Sequence, residues 1–242
     1  VDFDHVASID FETRYRCNLS THGALRYSLD PSTKVLLLSW RVDKGEVETW
    51  QPHLNPTIPA RLLKLLRDPR VLKRAFNYSF ERLIFLNVLG ISIPIEEWEC
   101  TMALAFQRSL PGNLAELGEA INVEGAKKDK RGDKLINLFC KPRQARQIKP
   151  GSEHEFNDWT THPKEWEEFV QYNIQDVVAE SKIANILLKF PIPAIEREIW
   201  LLDQHSNDEG MPINLEFVKT CWTMVQSERK RKIAQIESIT GL

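Results

Sequence analysis

Cysteine is scarce in this chain and poorly placed for any cross-linked framework. The four cysteines, Cys17, Cys100, Cys140 and Cys221, lie far apart in 242 residues, and none forms a Cys-x-x-Cys pair. Such spacing argues against a disulfide scaffold and a structural zinc site, and it fits a reducing compartment. Long apolar runs are also missing, so nothing in the sequence spans a membrane, and no secretory signal opens it. Nor does either charge sign dominate: 32 Lys and Arg face 34 Asp and Glu, for a formal net charge of −2. That balance speaks against a wholly basic nucleic-acid coat, but it leaves room for a basic channel beside an acidic site. The remainder is an ordinary soluble globular composition, long enough for one large domain or one domain with an appendage. Val1 in place of Met points to a trimmed or processed start.

Ala7-Ser8-Ile9-Asp10-Phe11-Glu12-Thr13 places two carboxylates one residue apart after an apolar lead. In a strand, Asp10 and Glu12 point one way while Ile9 and Phe11 point into a core. Like charges side by side raise one pKa unless a cation lies between them, and a hard divalent ion suits oxygen ligands. Two solvated acids on an edge strand are the plainer alternative.

Further along, Arg14 to His22 is polar and reads as a loop. Val35 to Val42 has the length of an interior strand, Asp43-Lys44-Gly45 reads as a turn, and Glu46 to Trp50 alternates like the return strand of a hairpin. Helical spacing over Ala60 to Leu66 precedes a strand over Val71 to Phe76. The class is α/β or α+β. Directly after that strand, Asn77-Tyr78-Ser79-Phe80-Glu81 reads as a capped helix start with Asn77 and Glu81 on one side. Asn113 to Ile121 reads as another helix. Residues 125–152 are rich in Lys, Arg and Gly, including Lys127, Lys128, Lys130 and Arg131. They read as a long, mobile loop with an apolar island at Leu135 to Phe139, either solvated or gripping a polyanion. His162-Pro163 then opens a long amphipathic helix from Glu165 to about Leu188. On it Tyr172 and Asp176 stand four apart and face one side.

Taken in order, Asp-x-Glu on a strand, Asn-x-x-Phe-Glu at a strand-to-helix junction and Tyr-x-x-x-Asp on a late helix resemble the three motifs of the DEDD 3′→5′ exonuclease superfamily, in its Tyr subtype. Ile9 to Thr13, Tyr27-Ser28-Leu29-Asp30-Pro31, Val35 to Leu38 and Tyr172 to Val177 look like the proofreading domain of phage-type family A DNA polymerases. Trp200 to Ile213 resembles the segment by which those polymerases enter the polymerase domain. Two departures stand out. The second motif usually ends in Asp, where this chain has Glu81, one methylene longer. Polymerase carboxylates and a basic finger helix are absent, so no polymerase activity is expected of this chain. It reads as an excised domain, a truncated form or a stand-alone nuclease.

The resemblance implies a ribonuclease H-like mixed sheet flanked by helices over residues 1–190, with a helical junction over 191–242. It implies two divalent ions, Mg2+ or Mn2+, about 4 Å apart, one activating water and one stabilising the leaving 3′ oxygen. By the same resemblance Asp10 bridges both ions, and Glu12 and Asp176 hold the ion nearer the attacking water. Glu81 acts on the second ion, Tyr172 orients the nucleophile, and Thr13, Asn77 and Phe80 contact the terminal nucleotides. The implied partners are single-stranded DNA or frayed 3′ ends, and a polymerase domain in the same or a separate chain. The implied location is the cytoplasm of a bacterium or phage-infected host. An RNA-trimming exonuclease with the same motifs and an inactive domain supporting a polymerase remain as alternatives.

Overall fold

The computed structural model describes residues 3–16, 19–123, 130–143, 155–190 and 193–241. The chain divides into two compact units, Val1–Glu196 and Arg197–Leu242. The first is built on a five-stranded sheet. Its strands are β1 (His5–Arg14), β2 (Lys34–Val42), β3 (Val47–Trp50), β4 (Val71–Ala75) and β5 (Trp98–Cys100), in the order β3-β2-β1-β4-β5. β1 pairs antiparallel with β2, and β2 with β3, as the hairpin signal at residues 43–45 predicts. β4 lies parallel to β1 and β5 parallel to β4, so the sheet is mixed. β1 is therefore the central strand, not an edge, and is covered on both faces.

That position follows from its residues. Ala7, Ile9 and Phe11 are buried on one face, where Phe11 meets Phe85 edge-on at 4.7 Å. Ser8, Asp10 and Glu12 face the opposite layer, formed by α7 (Pro163–Leu187), the longest helix of this unit. Pro163 suits the first turn of α7, where a missing N–H costs nothing. Trp166 and Phe169 then pack with Leu36 and Leu37 of β2 in one apolar cluster. Between Glu12 and Thr13 the pairing with β2 shifts register, an irregularity that re-aims side chains beside it.

Two expectations are corrected here. The stretch 14–22 is not all loop, because α1 (Leu19–Leu29) begins inside it and bends at Gly23, whose φ of 75° suits glycine. The basic stretch is not one long loop either. Lys130–Phe139 forms helix α6, with Leu135 and Phe139 spaced four apart and buried against Trp166 and Phe169. The apolar island is thus the buried stripe of a helix. Residues 125–129 and 144–152, with Lys127 and Lys128, lie outside the described residues.

The other helices of this unit are α2 (Ala60–Arg67), α3 (Tyr78–Leu83), α4 (Thr101–Phe106) and α5 (Leu114–Ala120). α3 runs into a single π-helical turn, Ile84–Val88, a feature often found beside functional sites. Two buried ion pairs lock β4 to its neighbours: Lys73 to Glu97 at 2.6 Å and Arg74 to Glu99 at 2.6 Å. The second unit holds α9 (Leu215–Thr240) and all but the start of α8 (Ala194–Glu209). α9 is capped by Asn214, whose side chain accepts the Phe217 N–H at 3.0 Å, and it ends at left-handed Gly241.

Candidate active site

The two strand acids and the late-helix acid meet. Carboxylate oxygens of Asp10, Glu12 and Asp176 all lie within 4.8 Å of one another. The strand alternation aims Asp10 and Glu12 at α7, and α7 is anchored to the sheet by its own apolar stripe. Asn173, fully buried, donates from its amide to Asp10 Oδ2 at 2.5 Å and so fixes that carboxylate. Glu12 Oε2 accepts from the Cys140 thiol at 3.8 Å. Tyr172 hydrogen-bonds Asp176, one turn away.

These carboxyls are crowded, with Glu12 buried and Asp10 and Asp176 half-buried. Burial, then the charges of Asp176, Glu12 and Glu81, push the Asp10 carboxyl well above its usual range, against the lowering bond from Asn173. Burial, then Asp176, does the same to Glu12. Burial also raises the Tyr172 phenol, and the nearby carboxylates add to it. Such a site favours protons or a cation, and the cation relieves all three acids at once. An all-oxygen set with no imidazole suits Mg2+ or Mn2+ better than zinc.

Glu81 lies outside that cluster, yet its charge reaches both Asp10 and Glu12. Burial, with a smaller push from Glu180, raises its carboxyl to about 8, and its Oε2 has no partner among the described residues. A buried carboxylate oxygen without a protein donor can accept from water or bind a cation. The residues present therefore fit divalent ions.

No family model matches the chain. Over 240 residues, 97% of its length, it is 32% identical to the DNA polymerase of Bacillus phage SP02. The chain is a homologue of that polymerase. It spans 36% of the relative's length, about a third. Among solved structures, Brucella melitensis NrnC aligns with a TM-score of 0.50 at 14% identity, covering 87% of this chain and 90% of NrnC. Escherichia coli RNase D, an exoribonuclease involved in structured RNA processing, aligns at 0.48 and 18% identity, covering 82% of this chain and 44% of RNase D. The likeness to NrnC shows the fold, a ribonuclease H-like mixed sheet flanked by helices with helices at the C-terminal end. The relative is named a DNA polymerase, and the likeness to NrnC, at 14% identity, is one of fold.

The remaining expected residues are placed less uniformly. Asn77 is exposed while Glu81 is buried. Asn77 has φ −123° and ψ 71°, outside the helix, so the spacing of four is not a helical one. Its side chain accepts from the Ser79 hydroxyl at 3.1 Å rather than capping a backbone N–H. Thr13 is buried, its hydroxyl bonded to the Tyr27 hydroxyl at 2.6 Å. Phe80 is half-buried, its ring 5.7 Å from that of Tyr27. Lys130 opens α6, and Arg131 is exposed beside it.

Sequence reasoning passed over Asn173, Glu180 and Cys140. Asn173 and Glu180 lie three before and four after Asp176, on its side of α7, so helical spacing could have found them. Glu180 is buried and accepts from the Thr101 hydroxyl. It also bonds the Ser8 side chain, and burial raises its carboxyl. No local signal marks Cys140, which meets Glu12 across 128 positions of sequence.

Proposed function

We propose that this chain is a metal-dependent 3′→5′ exonuclease that removes nucleotides from DNA ends, the proofreading part of a phage-type polymerase. The convergence of Asp10, Glu12 and Asp176 carries this reading, with Tyr172 bonded to the third acid. Two divalent ions, Mg2+ or Mn2+, supply activation of the attacking water and neutralisation of the leaving 3′ oxygen. Asp10, fixed by Asn173, would hold metal together with Glu12 and Asp176, and Glu81 would add its unpartnered oxygen to the same site. Tyr172 points its proton at Asp176, and its raised phenol orients the nucleophile rather than taking its proton. Thr13, Asn77 and Phe80 border the terminal nucleotides, and Lys127, Lys128, Lys130 and Arg131 draw in the phosphates.

Homology to a polymerase favours DNA as substrate and a polymerase domain as partner. It also favours residues 1–190 as the nuclease and 191–242 as the junction. No helix among the described residues is long and apolar enough to cross a membrane, and the reading places the protein beside replicating DNA in bacterial or phage-infected cytoplasm. Matched single strands of DNA and RNA, incubated with Mg2+ and then with chelator, test it. Metal-dependent loss of DNA supports the reading. Degradation of RNA alone would replace it with an RNA-trimming nuclease.

A further inference from the structure

We propose that Gly132 of α6 is a positioning residue: the absent side chain leaves the space that holds the Tyr172 ring, and its hydroxyl, at Asp176. This rests on the reading of Tyr172 as the group that orients the nucleophile. A Cβ built at Gly132 would stand 2.5 Å from Tyr172 Cε2, 2.8 Å from Cζ and 3.1 Å from the hydroxyl oxygen. Real Cβ atoms do not approach that closely, so either the helix or the ring has to yield. α6 is poorly able to yield. Leu135 and Phe139 fix it to the core, Phe139 stacking on Phe169 at 5.2 Å and meeting Trp166 edge-on at 5.1 Å. Its last turn leads to Cys140, which bonds Glu12. The ring tip of Tyr172 is the movable partner. Gly132 has no positive φ, so glycine is not required there by the backbone. Glycine also weakens a helix interior relative to alanine, and the close approach to the ring accounts for its presence at that cost.

The consequence is unusual for a buried position. Gly132→Ala should leave the fold intact, or strengthen α6, while displacing the phenol hydroxyl. A misplacement of about 1 Å at reacting groups lowers rate on the order of a hundredfold. Turnover on a DNA 3′ end should therefore fall toward the level of Tyr172→Phe, with KM for DNA unchanged. The double variant should fall no further than Tyr172→Phe alone, because the hydroxyl is already gone. Independent losses that multiply in the double variant, or full turnover in Gly132→Ala, would overturn the proposal.

A second readout does not depend on activity. The chain has four tyrosines, so protein labelled with 3-fluorotyrosine gives four fluorine resonances. The signal of Tyr172 is the one lost in Tyr172→Phe. Gly132→Ala should shift that signal and leave those of Tyr15, Tyr27 and Tyr78 in place. An unmoved Tyr172 signal refutes the positioning role whatever the activity. Inactive wild-type protein with a shifted signal refutes the exonuclease reading alone. Should Gly132→Ala disturb all four signals, adding Tyr172→Leu removes the obstructing ring. Recovery of the other three signals then supports the proposal, and no recovery overturns it.

Discussion

Three carboxylates within 4.8 Å of one another make opposite demands on stability and function. Asp176→Ala should abolish cleavage, yet in chelator it should raise the melting temperature, because one of three repelling charges is gone. Asp10→Ala should abolish cleavage as well, and each gain is offset in part by a lost acceptor, that of the Asn173 amide for Asp10 and that of the Tyr172 hydroxyl for Asp176, at a cost of about 1–3 kcal/mol. Near-normal turnover in either variant contradicts the site assignment. Glu81 tests the longer side chain of the second motif: Glu81→Asp should retain partial activity and Glu81→Ala should lose most of it. Equal rates in all three proteins would leave Glu81 as a buried helix-start acid only. Its raised carboxyl also has a sign that can be checked. A folded-state value of about 8 against an ordinary 4.5 means that the fold prefers the protonated acid. That contribution to stability is complete below pH 4.5 and is lost as pH rises toward 8. Asp10 and Glu12 act in the same direction. Urea midpoints in chelator should therefore fall across this window, and the fall should shrink with Mg2+, whose binding displaces the protons. A midpoint that rises with pH in chelator would contradict the crowding of these acids.

At the scale of elements, β1 and α7 present the clustered acids, and α6 packs its Gly132 against Tyr172 of α7. If the basic stretch grips phosphates, replacing Lys127, Lys128, Lys130 and Arg131 with Gln should weaken binding of every single strand alike. Each lost contact should flatten the slope of log K against log salt by about 0.7. An unchanged slope would mean that these cations are only solvated. The elements also show which signals were legible. The alternation of β1, the stripe of α7 and the hairpin turn at 43–45 are local patterns, and each is found where its period predicts. α6 is hidden in the sequence because its glycine and dense Lys and Arg look like loop chemistry. Leu135 and Phe139 reveal a helix only once Trp166 and Phe169 are there to cover them. Asn77 stands at the N-cap position that its residue type predicts, but its side chain makes no capping hydrogen bond. The contacts of Cys140 with Glu12 and of Gly132 with Tyr172 join distant positions, and no window of sequence contains both partners.

At the scale of the whole molecule, the acids and the helices that aim them all belong to Val1–Glu196. Removing residues 197–242 should therefore leave metal binding and cleavage within a few-fold of the full chain. A collapse of activity on that truncation would make the second unit part of the nuclease. In that second unit Leu202, Trp222, Met224 and Val225 are exposed. The central claim is a direction as well as a chemistry. It is tested most directly on one single-stranded DNA labelled in turn at its 3′ and its 5′ end, digested with Mg2+. The 3′ label should appear at once as a mononucleotide, while the 5′ label passes through a ladder of shortening strands, and both should stop in chelator. Immediate release of the 5′ label, or no metal-dependent digestion of either strand, would contradict the account.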